Sequence, residues 1–346
     1  MAATAAELDP CRPLDLDPEA VYFYHKGAPV EWDSQLRDHL VQVAADVNLQ
    51  RIGREQLRRD GSVAPAHIPL STAWLLRPDQ GRSTLGGVLG SMKITPRKRR
   101  ILQSIAGTYP SNAVLFKWKR TNSPACLLCG GASETLAHIQ CRCPALKEAR
   151  IRAHHTLAAM LWGRLTNLSK EWQIHREVSV AAMSSIDAPL HYRDTWQRAC
   201  DDITDQDLEG SDDADTSAEL LRKRPDALAL RWKTKTVAIL EFTRGYDWRP
   251  NWHTETDQYK TARYLPLRDK LQKCLGDAWS VEVVPFTIGV RGSYEETAWA
   301  ARLAKFGLTG TQVTALMTDL VTNCLTEHDA ILLTRIAAIR NINANE

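Results

Sequence analysis

The spacing of apolar residues predicts a mainly helical first part of the chain. Residues 34–59 carry apolar side chains at positions 36, 40, 43, 44 and 47, which is the spacing of one helical face. Residues 60–96 contain several Gly and Pro and predict mostly loop. A short helix is expected at 99–107, where Gly107 would end it, and a longer one at 145–164. The segment 170–203 predicts mainly helix, broken near Pro189.

A different pattern begins near residue 226. Residues 226–243 contain two strand-like runs on either side of Lys233 to Lys235, and residues 281–290 are apolar and β-branched, as in a buried strand. Three segments have helical spacing: 254–273, 294–306 and about 310–340. The order strand, strand, helix, strand, helix predicts an α/β domain at this end.

Composition places the chain in the globular class. It has 346 residues, of which 44% are hydrophobic and 25% charged, enough for two or three domains. No apolar run approaches the roughly 18 residues of a membrane span, so no membrane partner is expected. Residues 1–20 are acidic and small and lack the basic start of a secretory signal, so we expect a disordered lead-in. A reducing compartment follows, in which structural disulfides are not expected.

Charge is distributed unevenly along the sequence. Residues 80–133 contain nine Lys or Arg and no acid, residues 201–219 contain nine acids and no base, and residues 220–275 contain thirteen bases against six acids. Two basic blocks around an acidic one indicate a polyanionic partner, nucleic acid in the first instance. Solvated helix faces are the alternative, and PRKRR (96–100) alone fits such a face or a nuclear-import signal.

One dense cluster has the ligand spacing of a zinc site. Cys126, Cys129, His138 and Cys143 form C-x2-C-x8-H-x4-C, and four protein ligands leave no open position, so the zinc would be structural. A redox C-x2-C pair and plain buried thiols are the alternatives. Cys141 could replace Cys143, but Pro144 would help to end the ligand loop and begin the next helix, which favours Cys143.

A second constellation consists of carboxylates and a lysine. Asp226 begins one predicted strand and Glu241 lies near the end of the next, so a hairpin would bring them together. Two carboxylates could bind Mg²⁺ or Mn²⁺, which would activate a water and stabilise charge on a phosphodiester. Lys260, on the following predicted helix, could orient that water or neutralise the pentavalent intermediate. Each residue taken singly also fits a turn, a strand-end charge or a solvated lysine.

About fifty residues resemble the zinc-binding region that follows the reverse transcriptase in non-LTR retrotransposon proteins. That region has a basic helix, a G-x-Y-P turn, a tryptophan, C-x2-C-G, an E-T-x-x-H element and C-P. The matching residues here are Gly107, Tyr109, Pro110, Trp118, Cys126, Cys129, Gly130, Glu134, Thr135, His138, Cys143 and Pro144.

Residues 220–300 resemble the restriction-enzyme-like PD-(D/E)XK endonuclease of such elements. The usual pattern would place a lysine at position 243, where this chain has Thr243. In the retrotransposon endonucleases the lysine is displaced to a helix, in a K-x-x-K-Y context, and YKTARY supplies Lys260, Arg263 and Tyr264. Arg263 departs from that pattern, since arginine transfers protons poorly. FTIGVRGS (286–293) is similar to the strand and glycine turn that follow.

Further side chains are candidates for contact with nucleic acid. RGYDWRPNWH (244–253) interleaves arginine with aromatic residues, although a packed loop explains it equally well. The full set of expected contacts is Arg97, Lys98, Arg99, Arg100, Lys117, Lys119, Arg120, Arg244, Trp248, Arg249 and Arg263. His154, His155 and His253 have no partner at ligand spacing and stay unassigned.

These observations predict a helical zinc-knuckle region followed by a restriction-endonuclease-like, mixed-sheet α/β domain. The expected divisions are a lead-in (1–20), a mainly helical linker region (21–95), a basic helix with the CCHC zinc region (96–165), a helical connector (166–200), an acidic loop (201–219) and the endonuclease domain (220–346).

The resemblance implies a nuclear, Mg-dependent DNA endonuclease fragment that nicks target DNA, whose freed 3′ hydroxyl primes reverse transcription. The partners would be target DNA and the element's RNA, with no small-molecule substrate. No polymerase signature is found in the sequence, so no polymerase activity is expected from this chain. The alternative is a non-catalytic, zinc-containing nucleic-acid-binding relic of such an element.

Overall fold

We analysed a computed structural model of the chain, which describes residues 23–25, 28–30, 81–205, 223–248 and 251–345. The predicted lead-in, the predicted helix at 34–59, most of the acidic stretch and Arg249 lie outside these residues. The chain divides into two compact units, Met1–His67 and Ile68–Glu346. In the first unit, strand β1 (Phe23–His25) pairs antiparallel with β2 (Ala28–Val30). Everything that follows concerns the second unit.

A four-stranded mixed sheet forms the centre of the second unit. Its strands are β3 (Gln173–Arg176), β4 (Ala227–Arg231), β5 (Thr236–Gly245) and β6 (Ser280–Gly289), in the order β3-β4-β5-β6. The first two pairings are antiparallel and the pairing of β5 with β6 is parallel. The two strands predicted around Lys233 to Lys235 and the strand at 281–290 are thereby confirmed, as is the mixed α/β class.

Strand β3 corrects one prediction. It lies inside the segment 166–200, which the sequence predicts as a helical connector, yet it is an edge strand of the same sheet as β4. Its four residues, three of them partly buried and Arg176 exposed, are too few to show a clear period of two, so the pattern carried no strand signal. The sheet therefore begins before the acidic stretch.

Helices surround the sheet. Their bounds are α1 (Arg82–Ser91), α2 (Pro96–Ile105), α3 (Asn112–Lys117), α4 (Lys147–Leu168), α5 (Arg193–Asp205), α6 (Trp252–Leu275), α7 (Glu296–Lys305) and α8 (Gly310–Asn345). Among the described residues, none of the helices has both the length and the apolar character that crossing a bilayer needs.

Two helices depart from the sequence prediction. Helix α1 lies where loop is predicted, because burial of Leu85 and Val88 in the main core outweighs the poor helix propensity of its glycines. Residues 201–205, predicted as the start of an acidic loop, form the end of α5, since Cys200 and Ile203 pack in the core.

Alternating side chains of β4 and β5 pack on both faces of the sheet. One face, with Ala229 and Leu240, packs in a cluster with α4 and α8. The other face, with Leu228 and Ile239, packs in a cluster with α5 and α6. A third cluster joins the cysteine-rich segment to α8 and contains Tyr109, Leu136, Ile139, Leu146, Ile331 and Leu332. Helix α8 therefore serves both the sheet and the cysteine-rich segment.

Candidate functional site

The first two cysteines of the cluster lie in a tight turn after α3. The amide of Cys126 donates to the carbonyl of Ala132 (2.7 Å), and the amide of Gly130 donates to the carbonyl of Cys126 (2.8 Å). Gly130 has φ 69°, a left-handed conformation that side-chain-bearing residues rarely adopt, so a glycine is required there. This turn directs the thiols of Cys126 and Cys129 to one side.

The other two members come from a wide helical turn, His138–Arg142, and the residue that follows it. Cys126 Sγ lies 3.8 Å from Cys143 Sγ, and Cys129 Sγ lies 3.4 Å from His138 Nε2. A tetrahedral ion with bonds of about 2.3 Å to sulfur holds its sulfurs about 3.8 Å apart. All four ligand atoms lie within 4.8 Å of one another. The Cys₃His cluster, as we call it, could therefore hold a zinc ion.

Protonation states in the Cys₃His cluster suit a cation. Burial raises the pKa of the Cys126 thiol to about 12, so its thiolate needs a compensating positive charge. The backbone amide of Gly131 donates a hydrogen bond to Cys129 and lowers the pKa of that thiol. Burial lowers the pKa of His138, which keeps its imidazole neutral, the form that ligates metal.

Cys141 is not part of this group. Its thiol lies near Arg244 and Asp247 at the end of β5, accepts a hydrogen bond from the backbone of Tyr246, and has a pKa raised by burial. Cys143, at the end of the turn, completes the cluster instead. The grouping thus agrees with the preference for Cys143 over Cys141, and the zinc ligation itself stays a prediction.

Long-range polar contacts fix the Cys₃His cluster to the rest of the unit. The buried carboxylate of Glu134 accepts from the amide of Asn112 (2.8 Å) and from the guanidinium of Arg335 on α8. The side chain of Gln140 donates to the carbonyl of His328 (3.0 Å) and accepts from Arg244 (2.9 Å). Sequence spacing gave no signal for these contacts, which join residues about 20 to 200 positions apart.

The hairpin of β4 and β5 places the two predicted carboxylate residues at the same end of the sheet. Ala227 pairs with Leu240, so the backbone of Asp226, one residue before, lies beside that of Glu241. Glu241 is buried, and Lys260 Nζ on α6 lies 2.5 Å from its Oε1 atom. Of the three residues predicted as a set, Glu241 and Lys260 are in contact. Their catalytic role stays a prediction.

Asp226 is held by two further contacts. Its Oδ2 atom accepts from the amide of Phe242 (2.7 Å), and its Oδ1 atom lies 3.3 Å from Nε2 of His154 on α4. His154 was left unassigned by the sequence analysis, because only the packing of α4 against the sheet places it there. Its contact with Asp226 makes it a positioning residue for that carboxylate.

The surroundings of Glu241 include a tyrosine and a threonine. The hydroxyl of Tyr264 donates to the carbonyl of Arg224 (3.3 Å) and lies beside Glu241; burial, then the charge of that carboxylate, raises its pKa. Glu241 Oε2 is buried without a hydrogen-bond partner of normal geometry among the described residues, as is Thr243 Oγ1. A ligand at this carboxylate would satisfy the first of these atoms.

The structure divides the predicted nucleic-acid contacts into two groups. The exposed members are Arg99, Lys117, Lys119, Arg120, Trp248 and Arg263. The members engaged within the protein are Arg97 with Thr326, Lys98 with the carbonyl of Met92, Arg100 with Asp329, and Arg244 with Gln140.

Arg100 and Arg244 are corrections to the prediction. Arg100 binds Asp329 through two bonds of 2.6 and 2.8 Å, and this bidentate ion pair ties α2 to α8. Arg244 donates a single hydrogen bond to the side-chain oxygen of Gln140 (2.9 Å). Both guanidiniums are engaged within the protein, which counts against their binding phosphate.

The segment 244–253 is part packed loop and part exposed surface. Asp247 is buried and accepts from Arg291 Nε (2.9 Å) and from the hydroxyl of Ser293 (2.6 Å). Tyr246 lies under the Arg291 guanidinium, 5.0 Å from ring centre to charge. Trp248, in contrast, is exposed. Packing therefore explains Tyr246 and Asp247, while the contact of Trp248 with nucleic acid stays a prediction.

Comparisons with protein-family models and with curated proteins returned no match. The assignment of function consequently depends on the Cys₃His cluster, the carboxylate site and the resemblance carried by the motifs themselves.

Proposed function

We propose that the chain is a metal-dependent DNA endonuclease with a structural zinc module. The observation that carries this proposal is the buried pair of Glu241 and Lys260, with Lys260 Nζ 2.5 Å from Glu241 Oε1, at the end of the sheet where Asp226 precedes β4. In the PD-(D/E)XK pattern a lysine would stand at 243, and here Lys260 on α6 brings an ammonium group to the same carboxylate. The displaced lysine expected from retrotransposon endonucleases thus has a geometric counterpart.

The donor set of the carboxylate site suits a hard cation. Asp226 and Glu241 offer carboxylate oxygens, the ligands that Mg²⁺ prefers, and the buried Oε2 atom of Glu241 has no partner of normal geometry among the described residues. A bound Mg²⁺ or Mn²⁺ would supply Lewis acidity towards a phosphodiester. Lys260 would orient the attacking water or neutralise charge on phosphate, and His154 would keep Asp226 in place.

The zinc module has a structural part in this proposal. Its four protein ligands leave no position for a substrate, and it packs against α8, which also covers the sheet. On the resemblance to non-LTR retrotransposon proteins, the endonuclease would act in the nucleus, and its nick would prime reverse transcription of the element's RNA.

The second candidate is a non-catalytic, nucleic-acid-binding relic of such an element. One observation favours it: both carboxylates already have partners within the protein. Lys260 pairs with Glu241, and Asp226 accepts from the Phe242 amide and contacts His154.

Nicking of supercoiled plasmid in Mg²⁺ separates the two candidates. Asp226→Asn and Glu241→Gln should each lower the nicking rate at least about 100-fold, while Asp187→Asn, at an exposed acid, should leave it unchanged. His154→Ala should raise the Mg²⁺ concentration for half-maximal rate about 10-fold, with recovery in excess Mg²⁺. If wild type and both carboxylate variants nick alike, the active-site assignment is wrong and the relic is the better description.

A further inference from the structure

Five consecutive exposed residues follow the buried part of α3. Residues 116–120 read FKWKR, so two aromatic rings alternate with basic side chains. Phe116 is 45% and Trp118 is 48% exposed, although aromatic rings of this size usually bury most of their surface. The carboxylate site and the Cys₃His cluster make no use of either ring.

The backbone of this segment is fixed. Helix α3 ends with two bonds that close it, from the Arg120 amide to the Leu115 carbonyl (2.9 Å) and from the Lys119 amide to the Phe116 carbonyl (3.0 Å). Lys119 itself has φ 56°, a left-handed conformation disfavoured for a residue with a side chain. The exposed rings are therefore presented by an ordered helix end.

The start of α3 is attached to the Cys₃His cluster. The Asn112 amide donates to Glu134 (2.8 Å), and the Asn112 side chain donates to the carbonyl of Ala125 (2.7 Å), next to Cys126. The helix is thus held at the end opposite to the exposed rings. This attachment makes residues 116–120 a rigid projection of the zinc module.

Charge identifies the kind of partner. Residues 80–133 contain no acid, and the Arg120 guanidinium lies 5.9 Å from the centre of the Trp118 ring. Lys117 and Lys119, the sequence neighbours of Trp118, are exposed. A polyanion with accessible flat faces fits such a surface. Duplex DNA buries the faces of its bases, whereas unpaired bases offer theirs for stacking.

We propose that residues 116–120 bind single-stranded nucleic acid, with Trp118 and Phe116 stacking on unpaired bases and Lys117, Lys119 and Arg120 binding phosphates. This inference rests on the proposed function, because a nicking enzyme exposes an unpaired strand beside its site. It adds a binding site for that strand and names the residues that stack.

The test measures binding of the full chain to labelled oligonucleotides by fluorescence anisotropy. The probes are oligo(dT) and oligo(rU) of about 20 nucleotides and a duplex of the same length. Trp118→Leu keeps an apolar side chain and removes the π face, so it should weaken binding to the single strands roughly 5- to 150-fold. Trp118→Phe keeps a ring and should stay within about threefold of wild type.

Two controls define the site. Duplex binding should change less than about twofold in Trp118→Leu, because a duplex offers no base faces. Ile94→Ala, at an exposed apolar residue of the same basic block, should leave single-strand binding unchanged. Thermal melting should be unaltered in the Trp118 variants, since the ring is half exposed.

The inference is overturned if Trp118→Leu binds the single-stranded probes as tightly as wild type does. It is also overturned if Trp118→Leu loses as much affinity for the duplex as for the single strands. Plasmid nicking keeps this outcome separate from the proposed function. If nicking depends on Asp226 but single-strand binding does not depend on Trp118, only the single-strand site is rejected. If the chain does not nick DNA but its single-strand binding depends on Trp118, the endonuclease is rejected and the binding site stands.

Discussion

Substitution of Lys260 by methionine should destabilise the protein far more than substitution of an exposed lysine. Lys260 Nζ lies 2.5 Å from Glu241 Oε1, and the two side chains are only 17% and 5% exposed. Methionine keeps most of the aliphatic stem and removes the ammonium group. The carboxylate of Glu241 would then stay buried without its counter-charge.

The expected loss follows from that burial. Removing one partner of a buried ion pair costs about 3 to 5 kcal/mol, because the remaining charge is desolvated and uncompensated. For a unit of this size each 1 kcal/mol lowers the melting temperature by about 2 to 4 °C, so the shift should be roughly 6 to 20 °C.

Lys305 supplies a matched control. It forms an ion pair with Glu282 in which the side chains are 50% and 30% exposed, and exposed pairs contribute about 0.2 to 1 kcal/mol. Lys305→Met should therefore lower the melting temperature by no more than about 4 °C. Both variants are compared with wild type by urea and thermal unfolding in EDTA.

Added Mg²⁺ extends the test to the site. If Glu241 is a cation ligand, Mg²⁺ should restore part of the stability lost in Lys260→Met, and it should not do so in the double variant with Glu241→Gln. Equal and small losses in Lys260→Met and Lys305→Met would refute the reasoning, since Glu241 would then not be an uncompensated buried charge.

Two further predictions concern the Cys₃His cluster and the acid stability of the fold. Cys143→Ser should abolish tight zinc binding in a chelator-competition titration while Cys141→Ser retains one zinc per chain; an equal loss in both would contradict the ligand assignment. Burial, followed by the charges of Arg244 and Arg291, lowers the pKa of His328 to about 3, against about 6.5 in the unfolded chain. Below pH 6.5 the unfolded chain therefore gains a proton that the folded chain does not, which removes about 3 kcal/mol of stability by pH 4.5. Urea unfolding at about pH 6.5 and about pH 4.5 should show a smaller loss of stability in His328→Gln than in wild type. The same loss in both proteins would count against this role of His328.

The zinc ligands and the carboxylate pair could be predicted because they are local in sequence. Cys126 to Cys143 span one turn and one short helical segment, so spacing alone constrains their geometry. Asp226 directly precedes β4 and Glu241 lies on β5, so antiparallel pairing places their backbones side by side. The helices that their side chains meet, α4 for Asp226 and α6 for Glu241, follow only from tertiary packing.

The missed features depend on contacts between distant parts of the chain. Arg100 binds Asp329, 229 positions away, and no local pattern distinguishes it from the exposed Arg99 beside it. His154 meets Asp226 across 72 positions, and only the packing of α4 on the sheet creates that contact. Charge patterning predicts how many basic residues a surface has available, but tertiary ion pairs decide which of them remain free.

Strand β5 connects the two candidate sites physically. Glu241 and Arg244 lie on this strand, and Arg244 binds Gln140 inside the turn that carries His138. Gln140 also donates to the backbone of His328 on α8, so the turn is held from both the sheet and the helix. A metal ion that orders this turn would therefore also fix the end of β5. Because the same strand carries Glu241, we expect a zinc ion in the Cys₃His cluster to affect the surroundings of Glu241 through these hydrogen bonds.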